Sequence, residues 1–252
     1  MRQILDDLLC RRYPALYADR HGDARTTAMC WGFEVGDGWF AILDALSTVL
    51  TRHAMQDGRP PPPVQQVKAK FGTLRYAMAS DATDCGAVAM ATEMSGRICE
   101  VTGRPGRPMR QGRLRLTRAP DVEPGAQWVA ASEADAGRPP VPPLGFGAAN
   151  LLRRQADRLA EPPDVPVGWL DLVDGMLRQV SPVAQGHPAT SVRIGRVRAT
   201  ADGLLVDGVP ADPRAEGVIA LAVALAPRLD PTTGAAGPVT DAGIPITARP
   251  RA

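Results

Sequence analysis

Gly86-Ala-Val-Ala-Met-Ala-Thr-Glu-Met-Ser-Gly-Arg97 returns as Gly217-Val-Ile-Ala-Leu-Ala-Val-Ala-Leu-Ala-Pro-Arg228, each position 131 further on (97 to 228). Apolar positions inside the segment match in kind, with Val88 over Ile219, Met90 over Leu221 and Met94 over Leu225. In the same register Thr102-Gly103 meets Thr233-Gly234, Gly106 meets Gly237 and Gly112 meets Gly243. Upstream, Gly38-Trp39-Phe40 reappears as Gly168-Trp169-Leu170, 130 apart (39 to 169). Self-similarity of this length predicts two like units, because a repeated sequence specifies a repeated supersecondary structure.

Reading outward, each unit is a helix, a β-hairpin and a second helix. Trp39, Ile42, Leu43, Leu46 and Leu50 form an apolar stripe at helical spacing, and Asp37 is expected to cap that helix. Pro60 to Pro63 break the chain. Val64 to Lys70 and Thr73 to Met78 then read as strands turned at Phe71-Gly72. Cys85 to Gly96 is the second helix, with Val88, Thr92 and Ser95 expected along one side. The second half offers a helix over Asp171 to Val180, with Leu172, Val173, Met176, Leu177 and Val180 as its stripe. A hairpin follows from Ser191–Thr200 and Leu204–Val209, then an almost wholly apolar helix over Val218 to Leu225. The expected class is therefore α+β, in tandem: residues 1–137, a Pro-rich linker over 138–147, and residues 148–252 opened by a helix over Ala148 to Ala160. Whether the two hairpins share a sheet is left open by the sequence.

Composition sets outer limits. The 252 residues are 44% hydrophobic and 22% charged, proportions of a globular and not a disordered chain. A net charge of +2 makes no global case for nucleic acid, so any such case needs a local cluster. No apolar run has the length of a membrane span. Residues 1–20, with Ile4, Leu8, Leu9 and Tyr13, read as an amphipathic helix and not as a signal peptide. Cys10, Cys30, Cys85 and Cys99 have neither the spacing nor the density of a secreted scaffold, and a bacterial cytoplasm is the expected home.

Gly36-Asp37-Gly38-Trp39 followed by Val67-Lys68-Ala69-Lys70-Phe71-Gly72-Thr73-Leu74-Arg75-Tyr76 resembles a family of uncharacterised bacterial and prophage proteins. The likeness covers about residues 30–118, with a fainter echo in 165–250. It implies that the second helix runs into a small zinc knuckle built on Cys-Xaa-Xaa-Cys-Gly and a later cysteine motif. This chain departs from that pattern. Cys99-Glu-Val-Thr102-Gly103 keeps one cysteine, residues 112–120 hold no cysteine or histidine, and Asp230 and Thr233 stand at the equivalent places of the second half. Structural zinc needs four Cys or His ligands, so a metal-free knuckle without any cofactor is expected.

Seven arginines crowd the knuckle: Arg97, Arg104, Arg107, Arg110, Arg113, Arg115 and Arg118, with Glu100 as the one acid of the span. Lys68, Lys70 and Arg75 add charge on the hairpin. Such a cluster suits phosphates or an acidic partner. Rings for base stacking are scarce, with Phe71 and Tyr76 the candidates. His21, His53 and His187 are scattered, and Cys85 near a helix start has no histidine beside it in sequence. Glycine-rich turns lack the Lys-Ser/Thr of a P-loop.

The leading expectation is a non-catalytic macromolecule-binding protein, of a protein-interaction, inhibitor or immunity-like kind. Trp39, Lys68, Lys70, Arg75, Arg104, Arg107, Arg110 and Arg113 are its candidate contact residues. One alternative is a nucleic-acid-binding protein using residues 97–118. Another is an enzyme with a pocket between the repeats. No membrane partner is expected.

Overall fold

A computed structural model describes residues 1–119, 121–122, 127–128, 158–180, 193–208 and 211–237. In chain order these form α1 (Gln3–Arg12), β1 (Phe33–Glu34), α2 (Phe40–Gln56), β2 (Val64–Lys70), β3 (Thr73–Met78) and α3 (Ala82–Ser95). Then come β4 (Arg107–Gln111), β5 (Leu114–Arg118), β6 (Gln127–Trp128), α4 (Leu170–Gln179), β7 (Arg196–Thr200), β8 (Gly203–Asp207) and α5 (Pro213–Leu225). The class is α+β. The expected linker at 138–147, and all but the last three residues of the helix expected over 148–160, lie outside the described residues. Arg158–Ala160 themselves are a turn and an isolated bridge, not helix.

The hairpin β2–β3 has the expected bounds because Phe71-Gly72 supplies a two-residue loop between Lys70 and Thr73. Both loop residues have positive φ, 56° and 80°, the pattern of a type I′ turn matched to strand twist. The hairpins do not join. Among the described residues the sheets run β1-β2-β3, β5-β4-β6 and β7-β8, and β1 lies parallel to β2.

Four helices, α2, α3, α4 and α5, make the centre, and one hydrophobic cluster draws on both halves of the chain. α3 and α5 cross where each lacks a side chain. A Cβ at Gly86 would stand 2.0 Å from the Arg214 carbonyl oxygen, and one at Gly217 would stand 1.8 Å from that of Thr83. That crossing decides which face of α3 is inward. Ala87, Met90, Ala91 and Met94 are buried, while of Val88, Thr92 and Ser95, expected along one side, Ser95 is buried and the other two are half-buried. α5 is buried on several sides, as its composition implies, and α4 buries its whole predicted stripe. Side-chain caps start α3 and α5 alike: Asp81 accepts from the Asp84 N–H and Asp212 from that of Arg214.

Two local expectations are corrected. Asp37 does not cap α2; its carboxylate accepts from the backbone N–H and the guanidinium of Arg2, tying down the start of α1. Ile4 is exposed, and α1 instead buries Leu5, Leu8 and Leu9 together with Asp6, which pairs with Arg20.

Candidate interaction surface

The knuckle packs by the same backbone contacts in each half. The Trp39 indole N–H donates to the Ile98 carbonyl (2.8 Å), and that of Trp169 to the Leu229 carbonyl (3.2 Å). Gly38 N–H reaches Glu100 O (2.8 Å) as Gly168 N–H reaches Pro231 O (2.9 Å). Gly103 and Gly234 close the turns at φ 73° and 72°, donating to the carbonyls of Cys99 and Asp230. In the first turn Cys99 is buried. In the second the Asp230 carboxylate accepts the N–H groups of Thr232 and Thr233 and the Thr233 hydroxyl. The Thr233 backbone N–H, helped by its hydroxyl and the Thr232 N–H, holds the Asp230 carboxyl below the ordinary aspartate range. Among the described residues no three His, Cys, Asp or Glu side chains are grouped for a metal ion.

Trp39 is therefore corrected as a surface contact: it is fully buried. So is Tyr76, whose hydroxyl meets that of Tyr17 at 3.2 Å; burial pushes both phenols up in pKa. Several knuckle arginines are also claimed from within. Burial opposes the charge of Arg97, yet Glu93, Asp174 and Asp171 around it raise its pKa further. Its guanidinium donates to Glu93 and to Asp174 across the halves. Arg228, its counterpart, bridges back to Asp44 at 2.7 Å. Arg107 pairs with Asp171 (2.9 Å) and Arg118 with Glu100 (3.1 Å), so Arg107 is corrected to an internal brace. Arg104 pairs at the surface with Asp121 (2.6 Å). Glu93 and Glu100 lie close by in sequence, but Asp171 and Asp174 come from the other half, and sequence could not bring them to Arg97 and Arg107.

What remains is a basic face on two neighbouring hairpins. The Phe71-Gly72 turn rests on β5: the Thr117 hydroxyl donates to the Gly72 carbonyl (2.6 Å), and a Cβ on Gly72 would touch the backbone of Leu116 at 3.2 Å. The β2–β3 tip therefore rests on the Arg115–Thr117 stretch of β5, while Gly112-Arg113 makes the β4–β5 turn between Gln111 and Leu114 at the other end of that strand. Lys68 and Arg75 face each other in register across β2–β3. Among the described residues Lys68, Lys70, Arg75, Arg110 and Arg113 pair with no carboxylate. Phe71 is 68% exposed at the tip of the first hairpin, with Lys70 Nζ 5.3 Å from its ring centre, and Leu114 is 62% exposed next to Arg113 on the second. The arginines of β7 differ, since Arg196 pairs with Glu161 and Arg198 with Asp207.

A cleft of about 210 Å³ opens between the knuckles, lined by Arg2, Asp37, Thr102, Gly103 and Ala236 among others. It holds no nucleophile–base pair, and Asp37 is engaged by Arg2. His53 is half-buried on Asp84 (3.3 Å), away from that cleft.

No known protein family, curated protein or solved structure matches this chain. No helix among the described residues is long and apolar enough to cross a membrane.

Proposed function

We propose that this chain is a non-catalytic binding protein whose first half presents a basic face to an acidic surface on another protein. The observation that carries this function is the set Lys68, Lys70, Arg75, Arg110 and Arg113. These cations lie on two hairpins in contact and form no ion pair among the described residues, whose other arginines are largely paired. Glu34, in register beside Lys68, is the acid nearest to them in the sheet. Unpaired like charges repel one another, and a scaffold that holds them together is suited to complementary charge from outside. The second half, with its paired β7 arginines, serves as structural companion. Its recurring knuckle hydrogen bonds support an origin by duplication. A prophage-like, inhibitor or immunity-like setting follows from the family resemblance alone. We read the site of action as the bacterial cytoplasm, where four free cysteines stay reduced.

Nucleic acid is the second reading, favoured by the exposed ring of Phe71 among the cations. One experiment separates the two. Partners are captured from the native host with wild-type protein and with Lys68→Ala/Lys70→Ala/Arg75→Ala, and the captured protein is purified and titrated. A direct complex weakened at least tenfold by the triple substitution supports a protein partner. Unchanged affinity removes the hairpin as the binding face. Tight binding of dT20 or duplex DNA that falls steeply with salt transfers the function to nucleic acid.

A further inference from the structure

Phe71 is the one residue other than glycine that adopts positive φ among the described residues. It does so at the first loop position of a type I′ turn, where Asn, Asp or Gly meets the least steric cost. The ring gains little from the fold in return: it is 68% exposed, and its noted partner is the ammonium of Lys70. A bulky apolar side chain held in a costly conformation and offered to water is the kind of local strain that function retains.

We infer that Phe71 is the apolar anchor of the binding face, and that its partner is a protein carrying a small apolar pocket ringed by carboxylates. The inference rests on the basic face proposed above. Protein interfaces of standard size concentrate their energy in a few anchors that are shielded by a polar rim. Here the rim is cationic: Lys68, Lys70 and Arg75 on the same hairpin, with Lys70 over the ring itself. Charge complementarity therefore calls for an acidic rim opposite. A type I′ turn fixes the backbone that carries the ring, so little loop ordering is left to oppose association.

The test uses the full chain with Phe71→Asn, which suits the turn and removes the ring. Its thermal midpoint is expected to rise by about 2–4 °C, the shift that relief of modest strain gives a chain of this size. Two labelled 16-residue probes are then titrated, one of Glu and Ser only and one with a central Leu-Phe-Leu among the same acids. Wild type is expected to prefer the apolar-centred probe at least fivefold. Phe71→Asn should erase that preference while leaving the weaker, salt-sensitive attraction to both probes. Equal affinity of wild type for the two probes, or a preference that survives Phe71→Asn, overturns the anchor. The basic face stands in that case provided Lys68→Ala/Lys70→Ala/Arg75→Ala weakens both probes. No binding of either probe at low salt overturns both. A Phe71-dependent preference for dT20 over both peptides would overturn the protein partner in favour of single-stranded nucleic acid.

Discussion

At Gly38 one added carbon would stand 2.2 Å from the Cys99 carbonyl oxygen and 2.5 Å from the Gly103 nitrogen; at Gly168 it would stand 2.5 Å from Asp230 O and from Gly234 N. Neither neighbour is a flexible side chain that can swing away, so the knuckle or the head of the helix must move. Gly38→Ala and Gly168→Ala should therefore each destabilise by about 1–3 kcal/mol, as overpacking does. Gly96→Ala, whose Cβ meets its nearest atom at 3.4 Å, should stay within about 0.5 kcal/mol of wild type. Urea midpoints of the three variants check this, and a harmless Gly38→Ala would mean that the knuckle is loosely held. Alignment of the halves pointed to these glycines because the same requirement recurs in both. Trp39 stood both at the head of an apolar stripe and among the candidate contacts, and burial settles it in favour of the core. Phe71 is the reverse case. Its turn was readable from Phe-Gly between two strands, but its strain and exposure come from backbone geometry and from the neighbouring hairpin.

Among elements, the two knuckle turns reach the same backbone path by different chemistry. The Asp230 carboxylate gathers two N–H groups and a hydroxyl, where the first half has buried Cys99. Asp230→Ala should cost roughly 1 kcal/mol at neutral pH, the usual worth of a side-chain oxygen that satisfies turn donors. The pH dependence has a definite sign. Thr233 lowers the folded-state pKa of Asp230, so its contribution is complete above the unfolded-state value and lost as pH falls through the folded one. Between about pH 4 and pH 2 the wild type should lose more of its thermal midpoint than Asp230→Asn, which accepts the same N–H groups without titrating. Parallel losses in the two proteins would remove Asp230 from the acid response. The β2–β3 hairpin and helices α3 to α5 were legible to within five residues because Phe71-Gly72 and the capping acids punctuate the chain. Strands β4 and β5 lie in the stretch read as a knuckle and were missed. The inner face of α3 was not legible either, because Gly86 and Gly217 turn that helix toward a partner that its own periodicity does not contain.

Over the whole molecule the halves are tied by reciprocal crossings. Arg97 at the end of α3 reaches Asp174 in α4 (2.8 Å), and Arg228 after α5 reaches Asp44 in α2 (2.7 Å). Those aspartates are themselves 130 apart, so each half supplies an arginine to the other's first helix and an aspartate to the other's arginine. All four groups are largely or fully buried, and removing one partner takes a charge from a poorly solvated network in which Glu93 remains on Arg97 and Arg12 on Asp44. Asp174→Asn should cost about 1–3 kcal/mol, the usual worth of a buried hydrogen bond to a charged group. With a common core beneath these braces, neither half has a private interior to fall back on. The loss should then be felt in both. The indole protons of Trp39 and Trp169, each bonded to a carbonyl in its own half, report on the two separately. In native-state hydrogen exchange the two should show equal opening free energies, and Asp174→Asn should lower both by the same amount. If Trp169 alone lost protection, the halves would open independently and the crossings would be contacts between separate folding units.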